Sequence, residues 1–441
     1  MSYKYLKKKI LILGIGLTGI SCMNFFLKKG VTPKIMDESI KPYNLNNIPK
    51  NVQYKLGSLE KSWILEADLI IISPGISSFK PILIEARILG IEIISDIELF
   101  SREAKAPIIS ITGTNGKSTV ATMVKNIAQK SGCKVCLGGN IGFPALNMLE
   151  QQADLYILEL SSFQLENILS LKSKIAVVLN ITEDHLDRYP KGFKQYKKIK
   201  LSIYNNAETC LINLKDKHCY FKKKGKKYIT FGTHDSDYYI NDTEEHTFLY
   251  RKHEKILNTS QTSLYGFHNY ENALVSFAIA DAMNFPQKYT KEVLSNFLNL
   301  PHRFQIVHKC NNISWINDSK STNINSTKLA LTNIQTQGTI RLLLGGDKKS
   351  ANFHILKKFL EKLTIKIYCF GKDGINIAKI FQKKSIYTQN LKDAMTLIAQ
   401  EVIPGDVVLL SPGCSSKDQF KNFKERGNLF IRLSKEISSC F

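Results

Sequence analysis

Short apolar runs alternate with helix-period segments along most of this chain. Ile10–Leu13 reads as a strand, and the pattern over Thr18–Lys29 as a helix closed by Gly30. Lys34–Met36 is a second strand ending at Asp37, and Leu69–Ile72 is another. The alternation resumes with the apolar run Pro107–Ile111 and the helical segment from Val120 to Val124. Strands follow over Asp154–Glu159 and Ile175–Asn180, each ending in a polar residue. Residues 208–262 are polar and lysine-rich and read as strands and turns. The helix predicted over Asn269–Asp281 carries Ala273, Leu274, Phe277, Ala278 and Ile279 on its packing side. Near Pro301 the alternation restarts, with strands at Thr339–Gly345, Lys366–Gly371 and Asp406–Ser411. Strands interleaved with helices predict an α/β fold with doubly wound, mostly parallel sheets and ligands at the strands' carboxyl ends. At ~150 residues per domain, 441 residues make about three domains, and the pattern breaks divide them at 1–95, 96–300 and 301–441.

The stretch Thr112-Gly113-Thr114-Asn115-Gly116-Lys117-Ser118-Thr119 falls between a predicted strand and a predicted helix. Backbone N–H groups at such a turn lack helical partners, and the helix dipole adds partial positive charge, so the turn binds phosphate. Lys117 would reach terminal phosphate oxygens and Ser118 is able to ligate Mg²⁺. Only Thr114 and Asn115 separate the two glycines, whereas the common P-loop places four residues there. A second glycine turn, Gly14-Ile15-Gly16-Leu17-Thr18-Gly19, has acidic Asp37 about 20 residues on and fits a nucleotide-diphosphate site. The turn Ser73-Pro74-Gly75-Ile76, after a later strand of the same sheet, would close that pocket.

Composition narrows the class. No apolar run approaches the ~20 residues that cross a bilayer, and Lys7-Lys8-Lys9 before Ile10–Leu13 lacks the cleavage site of a signal peptide. A cytoplasmic protein without membrane insertion is the expectation. Nine cysteines scattered from Cys22 to Cys440 fit a reducing compartment, and the Cys133–Cys136 pair reads as a buried strand pair. The net charge of +23 comes from 53 lysines and only 8 arginines, alongside abundant Asn and Ile. AT-rich codons produce that bias, so no nucleic-acid partner is expected. The densest cluster, Lys222–Lys227, reads as a hairpin-like stretch without a stacking pattern.

Further polar constellations sit at strand ends. Glu159 opens Glu-Leu-Ser-Ser-Phe-Gln-Leu-Glu166, where nucleotide-hydrolysing folds hold Mg²⁺, and Asn180–Pro190 contains His185 among hard oxygen ligands. Asn269 and Asn272 share a helix face at i and i+3, a position a helix cap would also explain. Pro301-His302-Arg303-Phe304 sits at a domain join, where an arginine could meet phosphate. Asn317–Asn323 is dense in donors and acceptors, although a solvated turn has the same composition.

Together with Asn140–Leu146, Gly266–Leu274, Leu300–Phe304 and Ser411–Gly427, these segments resemble the Mur ligase family, in order, over nearly the whole chain. They are most similar to members that add D-glutamate to UDP-N-acetylmuramoyl-L-alanine. The resemblance implies a Rossmann-like N-terminal domain for the UDP-sugar, a central P-loop-type ATPase domain and a Rossmann-like C-terminal domain for the amino acid. It implies an ATP-dependent, ADP-forming ligation through an acyl phosphate and a tetrahedral intermediate, by a cytoplasmic monomer that serves peptidoglycan synthesis. By the same resemblance Gly113–Thr119, Asn269, Arg303 and Asp318 contact ATP. Gly16, Leu17, Thr18, Asp37, Ser73, Pro74, Gly75 and Asn140 contact the UDP-sugar, and Lys349, Ser416 and Phe423 contact D-glutamate. Lys117, Glu159, His185 and Lys200 form the catalytic set. Ser118, Glu159, His185 and Lys200, the last as a carbamate formed with CO₂, serve two Mg²⁺ sites.

Three positions depart from the family pattern: Lys348 where glycine is usual, Gly413 where alanine is common, and Ser39 without the arginine some relatives place near the uracil. They leave the reaction class untouched and bear on contacts to uracil and D-glutamate. A folylpolyglutamate-type ligase shares the phosphate loop but not the glycine-rich first domain. A nicotinamide oxidoreductase rests on the first glycine turn alone, and a nucleic-acid-binding NTPase on charge and the phosphate loop.

Overall fold

The computed structural model describes residues 3–243, 246–264, 266–349 and 351–438. The chain forms two compact units, Met1–Thr262 with Tyr270–Asn296, and Ser263–Asn269 with Phe297–Phe441.

The first unit holds two sheets. β1 (Ile10–Leu13), β2 (Lys34–Asp37), β3 (Tyr54–Leu56), β4 (Leu69–Ile72) and β5 (Glu92–Ser95) form a parallel sheet in the order β3-β2-β1-β4-β5. Alternate residues of β1 feed opposite cores: Ile10 and Ile12 pack on one face, Leu11 and Leu13 on the other. A strand buried on both faces reads as a continuous apolar run, which is why β1 and β4 were visible in the sequence, whereas β3 and β5 were not. The second sheet contains β6 (Ile108–Thr112), β7 (Val135–Gly139), β8 (Leu155–Glu159), β9 (Ile175–Val178), β10 (Thr209–Asn213), β11 (Lys227–Phe231), β12 (Tyr238–Asp242), β13 (Thr247–Arg251) and β14 (Glu254–Asn258). Its order is β14-β13-β12-β11-β10-β9-β6-β8-β7, parallel from β7 to β12 and antiparallel beyond.

Two expectations fail in this unit. Lys222–Lys227 is not a hairpin, because β10 and β11 run parallel; Lys222–Lys226 lie in the crossing connection and Lys227 opens β11. Cys136 is buried within β7, but Cys133 is only half-buried and precedes the strand, so the two are not a strand pair. The described cysteines are free, and Cys440 lies outside the described residues.

The second unit holds β15 (Gln305–Cys310), β16 (Ile313–Asn317), β17 (Ile340–Gly345), β18 (Ile365–Phe370), β19 (Ser385–Tyr387) and β20 (Val407–Leu410), in the order β15-β16-β20-β17-β18-β19. Only the β15–β16 pairing is antiparallel. Leu342, Leu344 and Leu409 pack on one face, and Leu343, Val408 and Leu410 on the other. Among the described residues no helix is long and apolar enough to cross a membrane.

Candidate active site

In doubly wound sheets a crevice opens where the strand order reverses. In the first sheet that point lies between β1 and β4, and it brings the two glycine turns together. Gly14 takes φ +103, and a Cβ built there would lie 2.7 Å from the Ser73 side chain. Gly19 lets the helix Leu17–Lys28 seat on the turn, since its Cβ would lie 1.8 Å from the Gly14 carbonyl oxygen. Gly16 caps that helix and offers no side chain to its N-terminal N–H groups; Gly16, Leu17 and Gly75 are exposed while Thr18 and Pro74 are half-buried. Asp37 has a structural part here. One carboxylate oxygen accepts the Ile15 N–H at 2.6 Å and the other the Ser39 N–H at 2.8 Å, which holds the turn in shape.

In the second sheet the reversal falls at β6, flanked by β9 and β8. The loop after β6 and the polar ends of β8 and β9 therefore converge. Gly113 and Gly116 take φ +154 and +85, and a Cβ on Gly116 would lie 2.6 Å from Asn272 Oδ1, so glycine is required. Asn180 clamps the loop: its Oδ1 accepts the Asn115 N–H at 2.8 Å and its Nδ2 donates to the Asn115 carbonyl at 3.2 Å. The Thr114 hydroxyl pairs with the Tyr196 hydroxyl at 3.0 Å and accepts the Thr182 N–H at 3.0 Å. Lys117 Nζ donates to the carbonyls of Gly113 and Thr114 at 2.8 and 2.9 Å, and Ser118 and Thr119 open the helix Lys117–Lys130 as buried hydroxyls.

Glu159, at the end of β8, is 1% exposed. Asn140 Nδ2 donates to its Oε1 at 2.7 Å, while Oε2 is buried with no hydrogen-bond partner. A buried carboxylate oxygen without a donor is costly, and a cation would compensate it. Lys200 is also 1% exposed; its Nζ donates to the Gly113 carbonyl at 2.9 Å. Burial holds the Lys200 amine well below the usual lysine range, the nearby charge of Lys117 adds to that, and Asp184 and Glu159 oppose it. His185 is half-buried in a left-handed turn with φ 53, its Nε2 3.6 Å from Asp184 Oδ2. Among the described residues no three His, Cys, Asp or Glu side chains cluster as a preformed metal site.

In the second unit the ends of β16, β17 and β20 converge similarly. The Asn317–Asn323 stretch is not a solvated turn, since Asn317, Asp318, Ser319, Ser321 and Asn323 are buried. Asp318 accepts the Phe304 N–H at 3.0 Å and the Ser411 hydroxyl at 2.8 Å, and burial raises its carboxyl to about 6. Arg426 is fully buried and donates to the Ser319 carbonyl at 2.8 Å and the Cys414 carbonyl at 3.2 Å, tying two loops to the helix Phe423–Ser438. Lys320 Nζ sits 4.1 Å over the Phe423 ring, Ser416 is buried, and Lys349 is exposed with φ 49. Arg303 is half-buried, and Asn269 Nδ2 donates to Asn299 Oδ1 at 3.0 Å. The Lys348 N–H is held by Asp373 Oδ2 at 2.9 Å, and Gly413 takes φ +64, a conformation that glycine adopts freely.

The sequence reading missed the loop clamp of Asn180 and the buried Arg426. It also missed Asp216, whose Oδ2 accepts the Ile181 N–H at 2.7 Å. Asn180 carried a signal as the polar end of a strand, and Arg426 lay inside the Ser411–Gly427 segment of the family resemblance; Asp216 carried none.

Parallel α/β sheets with a glycine phosphate loop, a buried carboxylate with one unpartnered oxygen and a buried amine define a nucleotide-phosphate-binding enzyme class. Residues 8–95 match the Mur ligase MurD-like N-terminal domain, 111–280 the Mur ligase middle domain, and 302–414 the Mur ligase glutamate ligase domain. The UDP-N-acetylmuramoylalanine–D-glutamate ligase of Buchnera aphidicola subsp. Schizaphis graminum is 70% identical over 440 residues, covering 99% of this chain and 100% of the relative. The ligase of the same name from Escherichia coli K12 is 48% identical over 434 residues, covering 98% and 99%. The fold is shared with the UDP-N-acetylmuramate-alanine ligase of Thermotoga maritima, with TM-score 0.62, 18% identity and coverage of 97% of this chain and 99% of that one. A pseudomurein peptide ligase type C from Methanothermus fervidus gives TM-score 0.63 at 17% identity, covering 98% of this chain and 100% of that one. The chain belongs to the Mur ligase family.

Proposed function

We propose that this protein joins D-glutamate to UDP-N-acetylmuramoyl-L-alanine with consumption of ATP, in cytoplasmic peptidoglycan precursor synthesis. The observation that carries the chemistry is the buried Lys200 amine on the Gly113 carbonyl, beside a phosphate loop and the unpartnered oxygen of Glu159. The substrate assignment draws on the full-length relatives named for that reaction. The segments 1–95, 96–300 and 301–441 then serve the UDP-sugar, ATP and the amino acid.

A carboxylate is a poor electrophile, so ATP first phosphorylates it and releases ADP. The D-glutamate amine attacks the acyl phosphate, a tetrahedral intermediate forms, and phosphate leaves as the amine loses a proton. Gly113–Thr119 cradle the phosphates through backbone N–H groups, and Lys117 exchanges its loop carbonyls for phosphate oxygens. Asn269, Arg303 and Asp318 contact the rest of ATP. Gly16, Leu17, Thr18, Ser73, Pro74 and Gly75 receive the nucleotide sugar, with Asp37 shaping the turn and Asn140 between Glu159 and the substrate. Lys349, Ser416 and Phe423 receive D-glutamate.

The donor set fits Mg²⁺: the orphaned Glu159 oxygen and the buried Ser118 hydroxyl are hard ligands, and His185 is a nitrogen ligand for a second ion. Bound Mg²⁺ would offset phosphate charge and polarise the reacting oxygens. A neutral buried amine is the form that adds CO₂: its N–C bond forms, a proton leaves, and Lys200 becomes a carbamate anion able to complete that donor set.

ADP release by the purified protein with Mg²⁺ should require both UDP-N-acetylmuramoyl-L-alanine and D-glutamate. Release without either substrate, or equally with L-glutamate, would refute this function.

A further inference from the structure

A buried ion pair that none of these roles uses joins three segments distant in sequence. Arg188 ends the short turn Leu186–Arg188, and its N–H donates to the His185 carbonyl at 3.1 Å. Its guanidinium forks onto Glu166, Nε to Oε1 at 2.7 Å and Nη2 to Oε2 at 2.9 Å. Nη2 also donates to the Ile76 carbonyl at 2.9 Å, in the turn that follows β4. Ser78, in the same loop, donates its hydroxyl to Glu166 Oε2 at 2.9 Å. The guanidinium lies over the Phe163 ring at 4.2 Å, and that ring meets the His185 imidazole with centroids 4.9 Å apart at 61°. The Glu166 side chain is 0% exposed and that of Arg188 10%.

A buried pair such as this is weak support for a fold, because apolar residues of similar volume would serve as well. A planar fork with fixed donors supplies something they do not, a defined geometry between the groups it touches. Here the fork touches the Ser73–Ile76 loop on one side and the ring partner of His185 on the other, while the Arg188 backbone N–H holds the His185 carbonyl.

We propose that Arg188 is a positioning residue that couples the nucleotide-sugar turn Ser73–Ile76 to the His185 loop, so that each is set for its ligand when the other is. The inference rests on the roles given above to that turn and to His185. Coupling of this kind is reciprocal: the nucleotide sugar and Mg²⁺–nucleotide each raise affinity for the other. The proposed D-glutamate contacts lie in the other unit and stay outside it.

The test titrates UDP-N-acetylmuramoyl-L-alanine into the full chain by calorimetry, with and without Mg²⁺ and a non-hydrolysable ATP analogue. Wild type should bind the nucleotide sugar about fivefold or more tightly when the Mg²⁺–analogue is present. In R188M, which keeps an apolar stem over Phe163, the gain should fall below about twofold, and R188K, with charge but no fork, should lie between. In steady state R188M should raise KM for the nucleotide sugar and the half-saturating Mg²⁺ about tenfold, a coupling-sized change. KM for D-glutamate should stay within about twofold. A merely structural loss would lower the active fraction and kcat without moving these constants. Wild type without coupling, R188M with wild-type coupling, or an equal rise in every KM overturns the proposal. If R188M does not fold, R188K decides by the same criteria. A wild type that adds no D-glutamate overturns the functional reading, whereas an active wild type with uncoupled binding overturns this inference alone.

Discussion

Lys200 is the residue whose chemistry the fold alters most. Three lysines stand within four positions, and burial separates them: Lys200 is buried, Lys197 half-buried and Lys198 exposed. Taken out of water beside Lys117, the Lys200 amine is pushed towards its neutral form, which is nucleophilic where an ammonium is not. Replacing it with Ala removes both the nucleophile and the proposed anion. K200A should lose about 100-fold or more in ligation rate, the scale of losing one electrostatic group from an active site. Added formate or acetate should restore part of it by standing in for the carbamate. Full activity in K200A without additives would remove the assignment.

At the level of elements, the central strands were legible because burial on both faces writes them as apolar runs, whereas partly exposed strands such as β3 and β19 were not. The functional loops were legible as polar breaks at strand ends, as at Glu159 and Asn180. What local pattern does not carry is pairing. The Lys222–Lys227 stretch has hairpin composition yet connects parallel strands, because the decision was made by which sheet edge β11 joined. The Asn317–Asn323 stretch has the composition of a solvated turn yet is buried, because Arg426, over 100 residues on, supplies donors to Ser319. Glycine requirements belong to this scale too. Gly19 sits in a helix, where Ala has the higher propensity, but its Cβ would lie 1.8 Å from the Gly14 carbonyl oxygen. G19A should therefore displace the helix from the glycine turn, lower stability by about 1–3 kcal/mol and weaken nucleotide-sugar binding. Chemical denaturation and the calorimetric titration check both, and a variant as stable as wild type would contradict the close approach.

Across the first unit, the helix Asp96–Glu103 links the two sheets and carries two buried acids with opposite fates. Glu98 accepts the N–H groups of Leu169 and Ser170 at 2.8 Å and the guanidinium of Arg102 at 2.8 Å, and these bonds outweigh burial and lower its carboxyl. Burial raises the Asp96 carboxyl from 3.8 to about 7: its Oδ1 is buried without a partner, and backbone hydrogen bonds at Ile97 and Asp96 oppose the shift only in part. The folded form thus binds a proton that the unfolded chain releases near pH 4. The stability this contributes is present below that pH and is lost as pH rises through about 7. D96N should remove the dependence. Its advantage over wild type should be larger at pH 8 than at pH 5 by on the order of 2 kcal/mol, read by denaturant titration at both pH values. An equal difference at the two pH values would show that Asp96 does not titrate in this window.

The α/β class, the phosphate loop with its short glycine spacing, and the acids and histidine near strand ends are all readable from the residues in order. These are local properties: an apolar run, a turn chemistry and a residue type at a boundary. Packing of the folded chain settled which of three lysines is buried and which carboxylate oxygen is left without a donor. It also decided that Arg188 ties a turn more than 100 residues away to His185. Those outcomes depend on sheet order and on the water excluded when distant strand ends converge, and neither is encoded in any short stretch of residues.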